Sequence, residues 1–173
     1  DGRFVGEIIG QLHLALSRVE DCVREGDLLA TVRDWALPQA KKAMDLQEGF
    51  CKDYLDTFAA LYPALPRQII HRDPNPDNVL MTQGRVTGFL DFELSRIAPR
   101  IFDLAYAATG ILSVAFAQAR QEAGSRFAAL AKAVWQGYHA RSPLTEAERR
   151  ALPDMVIAIQ LICITAFTGS DTY

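Results

Sequence analysis

Residues 69–93 read IIHRDPNPDNVLMTQGRVTGFLDFE. The periodicity of the chain changes inside this stretch. Gln68–Ile70 is a short apolar approach to the segment HRDPNPDN, in which Pro74 and Pro76 exclude regular helix and demand a loop. Val79–Thr82 and Val86–Leu90 then read as strands, parted by Gln83-Gly84 as a two-residue hairpin turn.

With that turn, Thr82 faces Arg85, Met81 faces Val86 and, counting outward, Asn78 faces Phe89. Asp91 falls two residues beyond the position opposite Asn78. Strands lie about 4.8 Å apart and two residues advance about 6.6 Å, so the two side chains are expected at one open end of the ribbon. An amide oxygen and a carboxylate can converge there on one hard cation. Mg²⁺ suits such a pair, because it takes few protein oxygens and completes its shell with water and phosphate. Asp73 lies on the same loop, five residues before Asn78. The bend imposed by the prolines can bring its carboxylate near the metal without making it a ligand, free to accept a hydrogen bond from a hydroxyl and align it for attack. Phosphoryl transfer asks mainly for such positioning and for charge neutralisation.

His71, Arg72, Asp73, Asn78 and Asp91 also stand in the order of kinase catalytic and metal loops. Their neighbours read differently. Asp77 is a turn former, bonding its own backbone. Glu93 is a supporting partner of the site, a weak metal ligand or a surface acid. His71 reads as a prop for the loop rather than a proton carrier, and Arg72 either pairs with an acid near the site or lies solvated. His13 and His139 fall on predicted helices and read as structural.

Outward from this segment the chain is helical. Phe4–Val19 carries apolar residues at helical spacing, Glu20–Asp34 reads as a connection with at most a short helical turn, and Pro38 suits a helix's first turn. A single apolar stripe runs from Ala40 to about Leu61, where Pro63 and Pro66 stop it. After Asp91 comes an irregular stretch with Pro99, then a central helix from Phe102 to about Ala119 and another over about Ser125–Ala140. Thr145 and Glu148 form a capping-box pattern, and Pro153 is expected to break or restart the last helix, through Val156–Phe167. The fold class is therefore α+β, mainly α: one domain, with a central helix bundle and a small β-hairpin carrying the metal site.

Composition narrows the partners. At 173 residues, with a net charge of -3 and a pI near 5.6, the chain lacks the basic face of a nucleic-acid binder. Cys22, Cys51 and Cys163 are too widely spaced for a zinc site and read as free thiols in a reducing, cytoplasmic compartment. The apolar stretches Ile101–Ala117 and Val156–Phe167 are shorter than the ~20 residues of a membrane-spanning helix.

The motifs His71-Arg72-Asp73, Asn78, Asp91-Phe92-Glu93 and Asp103-Leu104-Ala105, with Gly10-Gln11-Leu12-His13 on the opening helix, resemble the aminoglycoside phosphotransferase and choline kinase-like family of small-molecule kinases. Arg72 stands where many members carry Gly, and Phe92 where Trp is frequent. The resemblance implies a protein-kinase-like C-terminal lobe, ATP and Mg²⁺ as cofactors, and a small-molecule hydroxyl as acceptor. By position it implies Asp73 as catalytic base, Asn78 and Asp91 as the residues that hold magnesium and nucleotide, and Asp103 as a structural anchor beneath the loop. A protein kinase is disfavoured, because only Ala98-Pro99-Arg100 follows Glu93 before the central helix, leaving no room for a regulatory loop. A glycine-rich phosphate loop and a strand lysine are not found: Lys41, Lys42, Lys52 and Lys132 all fall on predicted helices. An N-terminal lobe is therefore expected to precede Asp1 in a longer protein, and this chain alone is expected to be inactive. The competing reading is a catalytically silent kinase-like module. Similar scaffolds handle homoserine, choline, thiosugars and aminoglycosides, so the scaffold does not choose the acceptor. Oligomeric state is left open.

Overall fold

A computed structural model describes residues 1–19, 24–118 and 123–168. Helix α1 spans Gly2–Leu16, and the Asp1 side chain caps it by accepting from Arg3 N at 3.0 Å. Cys22 and the start of the predicted 20–34 connection lie outside the described residues. The remainder of that connection is more helical than expected. Asp27 caps α2 (Leu28–Thr31), which runs through a π turn at Val32–Ala36 into α3 (Leu37–Met44). Pro38 therefore stands in the first turn of α3, as expected, although that helix continues from a π turn rather than starting afresh. The wider turn, with Leu37 N bonded to Val32 O, gives its ring the room that an α turn would deny.

The expected unbroken stripe from Ala40 to Leu61 is two helices. Asp45 ends α3 in the left-handed region at φ 50°, a conformation short polar side chains tolerate, and α4 restarts over Glu48–Leu61. Next come β1 (Arg67–Ile70), a 3₁₀ turn at Pro76–Asn78, β2 (Val79–Thr82), β3 (Arg85–Phe89) and β4 (Arg96–Pro99). Three helices close the fold: α5 (Ile101–Gln118), α6 (Ala123–Arg141) and α7 (Glu146–Thr168). The architecture is thus mainly helical, as the patterning predicts, with two small antiparallel sheets where a single hairpin was expected.

Pro153 does not break α7. Its cost of about 3 kcal/mol is set against the burial of Ala151, Leu152, Met155, Ala158 and Ile159 on either side, and each large apolar side chain contributes about 1.5–3 kcal/mol. Packing wins. The irregular stretch around Pro99 is likewise a strand: β4 pairs with β1, Arg67 opposite Pro99 through Ile70 opposite Arg96. Pro99 lies at the end of the ladder, where a missing N–H does least harm.

The hairpin holds the main correction. Its turn is as read, with Gln83 at φ 51° and Gly84 at φ 74°, and Thr82 faces Arg85 and Met81 faces Val86. Beyond that a bulge admits Thr87 as an extra residue, so Leu80 faces Gly88 and Val79 faces Phe89. Asn78 is therefore opposite Leu90, not Phe89, and accepts from Leu90 N at 2.9 Å. Asp91 lies one residue beyond Asn78's partner instead of two.

The core joins α1, α3, α4 and α5–α7, with Phe58, Ile70, Leu104, Tyr138 and Met155 fully buried. α1 meets α6 backbone to backbone: a Cβ built on Gly6 would stand 1.9 Å from Val134 O. No helix among the described residues is long and apolar enough to cross a membrane.

Candidate active site

The loop after β1 is held from below by one carboxylate. Asp103, in the first turn of α5, is fully buried; its Oδ2 accepts from His71 N and from His13 Nε2, and its Oδ1 from Arg72 N, each at 2.9 Å. Two successive backbone N–H groups can aim at one carboxylate because Arg72 adopts φ 72°, in the left-handed region. Such a conformation costs a non-glycine residue about 1–3 kcal/mol, which charge-assisted hydrogen bonds offset. His13 in turn meets the Tyr138 hydroxyl through Nδ1 at 2.8 Å, and burial pushes that hydroxyl's pKa up to about 12.

His71 fastens the loop to the far end of the hairpin. Its ring is buried, with Nε2 donating to Leu90 O at 2.8 Å, Nδ1 accepting from Asp73 N at 3.3 Å, and its centroid 4.6 Å from that of the tilted Phe92 ring. A ring engaged on both nitrogens by backbone positions the loop and is poorly placed to shuttle a proton. The same bond carries the segment with Asp91 alongside the segment with Asp73.

Asp73 is half-buried and its carboxylate is surrounded. Asn75 Nδ2 donates to Oδ1, and Asn78 Nδ2 donates to Oδ2 at 3.1 Å and to the Asp73 carbonyl at 3.0 Å. With its amide nitrogen so engaged, Asn78 directs its amide oxygen away from Asp73. The Tyr106 hydroxyl, one turn along α5 from Asp103, lies 3.5 Å from Asn75 Nδ2; burial and its hydrogen bond to Asp73 raise its pKa. Asn75 and Tyr106 were not singled out from the sequence. Tyr106 was findable as the residue three after Asp103 on one helical face, and Asn75 as an Asx side chain between two prolines.

Asp73 and Asn78 are therefore together, and Asp91 joins their end of the hairpin, exposed and at φ 60°. Glu93 is exposed, and its backbone carbonyl, not its carboxylate, receives Arg96 Nη1 at 3.4 Å. Arg72 follows neither expectation: it is half-buried, without a carboxylate partner among the described residues, and its guanidinium sits 5.4 Å from the Phe102 ring centroid. His139 accepts from Leu144 N at 2.9 Å, a structural contact. Cys51 and Cys163 are free thiols.

The sequence pattern of the phosphotransferase enzyme family matches residues 2–151. The chain belongs to that family. Among curated relatives, a homoserine kinase of Gluconobacter oxydans is 30% identical over 158 residues, covering 87% of this chain and 48% of its own length. One from Zymomonas mobilis is 32% identical over 160 residues, covering 86% and 46%. The phosphotransferase-family chain thus spans about half the length of the curated relatives it matches. A solved glucosamine kinase superposes with a TM-score of 0.59 at 15% identity, covering 93% of this chain and 47% of that one, and so shares the fold.

Proposed function

We propose that the chain supplies the base and metal-holding half of a kinase that moves the γ-phosphate of ATP to a hydroxyl of a small molecule. One observation carries this reading: the Asp73 carboxylate is gripped by Asn75 and Asn78 on a loop whose backbone N–H groups are tied to buried Asp103. Asn75, Asn78 and the Tyr106 hydroxyl occupy three of the roughly four lone-pair directions of the Asp73 carboxylate, leaving one for the acceptor. Asp73 accepts the acceptor's O–H, orients its oxygen for in-line attack and takes the proton as the new P–O bond forms and the γ-phosphorus bond to the bridging oxygen breaks, releasing ADP. His71 and Asp103 act through the loop, by positioning.

The donor set fits a hard cation. The Asn78 amide oxygen and the Asp91 carboxylate are oxygen ligands at one end of the hairpin, and Asp91 has no protein partner among the described residues. Bound there, Mg²⁺ would neutralise phosphate charge. A further lobe, outside these residues, would cover the nucleotide. The relatives of like sequence are homoserine kinases, which favours a hydroxylated amino acid as acceptor.

The test is turnover of the full-length protein with ATP and Mg²⁺ on a panel of hydroxylated amines, amino acids and sugars, for wild type and Asp73→Ala. The variant is expected to lose about 10²–10⁴-fold or more in kcat, the usual range for a general base, while its circular dichroism stays native. Near-normal kcat in the variant would sink the assignment of Asp73 as base.

A further inference from the structure

Beside the loop is a concave feature, between α2, β4 and α5, lined by Asp27, Leu28, Arg72, Arg96, Ala98 and Phe102 among others. Two guanidinium groups share this pocket and neither has a carboxylate partner among the described residues. Arg96 gives Nη1 to the carbonyls of Ser95, at 2.7 Å, and Glu93, at 3.4 Å. The Arg72 side chain has no hydrogen-bond acceptor among the described residues; its guanidinium lies over the Phe102 ring, which does not neutralise it. Half-buried like charges side by side are a standing electrostatic cost. Burial and the Arg96 charge both push the Arg72 pKa down, with Asp103 offsetting part of that. Asp27 is the acidic residue of the lining, and its Oδ1 is engaged by Ala30 N at 2.9 Å.

The position of the pocket connects it to the chemistry. Phe102 and Tyr106 are one turn apart on α5, about 6 Å along the axis, with their rings stacked at 6.2 Å between centroids. Arg72 sits over Phe102, while the Tyr106 hydroxyl lies at the Asn75–Asp73 pair. Cationic pocket and base therefore border the same helix face, a short molecule's length apart.

We infer that the Arg72–Arg96 pocket receives the carboxylate of the acceptor substrate whose hydroxyl lies at Asp73. The inference rests on the phosphotransfer reading above and adds the residues that would read the free carboxylate of a short hydroxy acid. Guanidinium forks match a carboxylate's two oxygens. Asp27, with one carboxylate oxygen unassigned, suits an ammonium beside that carboxylate, so an α-amino acid satisfies the whole lining. Cationic acceptors such as aminoglycosides or choline would be repelled by the two arginines.

The experiment uses the full-length protein and three probes: L-homoserine, its decarboxylated analogue 3-aminopropan-1-ol, and inorganic phosphate. Calorimetry reads binding without turnover, so the pocket is judged even if the phosphotransfer reading fails; kinetics with ATP are run in parallel. Wild type is expected to prefer L-homoserine over the analogue by about tenfold or more, since a charge-assisted hydrogen bond contributes about 1.5–3 kcal/mol. Arg96→Ala should erase that preference, raising KM for L-homoserine while leaving KM for ATP unchanged, and Arg96→Lys should restore part of it. Circular dichroism checks that both variants fold. Equal binding of the two organic probes by wild type would overturn the inference, as would a preference that survives in Arg96→Ala. Arg96-dependent binding of phosphate without binding of L-homoserine would also overturn it, marking a phosphate site instead.

Discussion

Three N–H donors converge on the buried carboxylate of Asp103, two from the loop backbone and one from His13. A carboxylate is acceptor-only when ionised, and this is why an isosteric amide cannot replace it. In Asp103→Asn, the amide NH₂ must face at least one of these donors, leaving that donor buried and unbonded. We expect a loss of about 2–4 kcal/mol in chemical denaturation, larger than a neutral hydrogen bond would give because the acceptor is charged. The same variant should lower kcat of the full-length protein without a matching rise in KM for ATP, since Asp103 acts only through the loop. Denaturation midpoints identical to wild type would contradict the anchoring role. Of these contacts, the identity of the anchor was legible from the Asp103-Leu104-Ala105 motif. The left-handed turn at Arg72 that lets both N–H groups reach it was not, because an arginine carries no sequence signal for positive φ.

Elements were legible where one local rule operated and illegible where two competed. The capping box is present: Thr145 N donates to Glu148 Oε2 at 2.8 Å and Glu148 N to Thr145 Oγ1 at 3.2 Å. What the pattern did not disclose is that Glu148 is fully buried and takes both Nε and Nη2 of Arg100 from the exit of β4, at 2.6 and 2.7 Å. Pro153 and Pro38 punctuate a sequence, yet packing overrides the first and a π turn absorbs the second. The hairpin register failed at Thr87, since a bulge adds a residue that counting from the turn cannot see. The α1–α6 contact offers a test between competing terms. Gly6→Ala should gain about 1 kcal/mol from helix propensity, but its Cβ would meet the Val134 carbonyl and the Tyr138 amide, backbone atoms that cannot swing aside. Overpacking costs about 1–3 kcal/mol even where side chains can yield, so the net effect should be destabilising by about 2 kcal/mol or more. A raised denaturation midpoint for Gly6→Ala would mean that the helices do not meet this closely.

At the scale of the whole molecule, what these residues hold is uneven. Asp73, its loop and the loop's supports are gathered at one end of the hairpin, whereas the four lysines lie on α3, α4 and α6, none on a strand. Around the hairpin, Leu80, Met81, Leu90 and Phe92 are 45%, 51%, 45% and 41% exposed, in contrast to the buried helical core. Apolar side chains exposed along a hairpin suit a surface that something covers, and on the reading proposed above a second lobe and an adenine ring would do so. The curated relatives are about twice as long as the span they share with this chain. From this unevenness follows a prediction about division of labour. The 173-residue chain alone should bind ATP weakly and transfer no measurable phosphate, because among the described residues no lysine lies on a strand to hold the β- and γ-phosphates. The full-length protein should bind ATP at least about a hundredfold more tightly, a difference of about 2.7 kcal/mol. Titration of a fluorescent ATP analogue into both proteins, with a coupled assay for ADP release, measures the two quantities. Brisk ADP release by the isolated chain that depends on an added acceptor would show that a single lobe suffices, and the exposed hairpin face would then need another occupant.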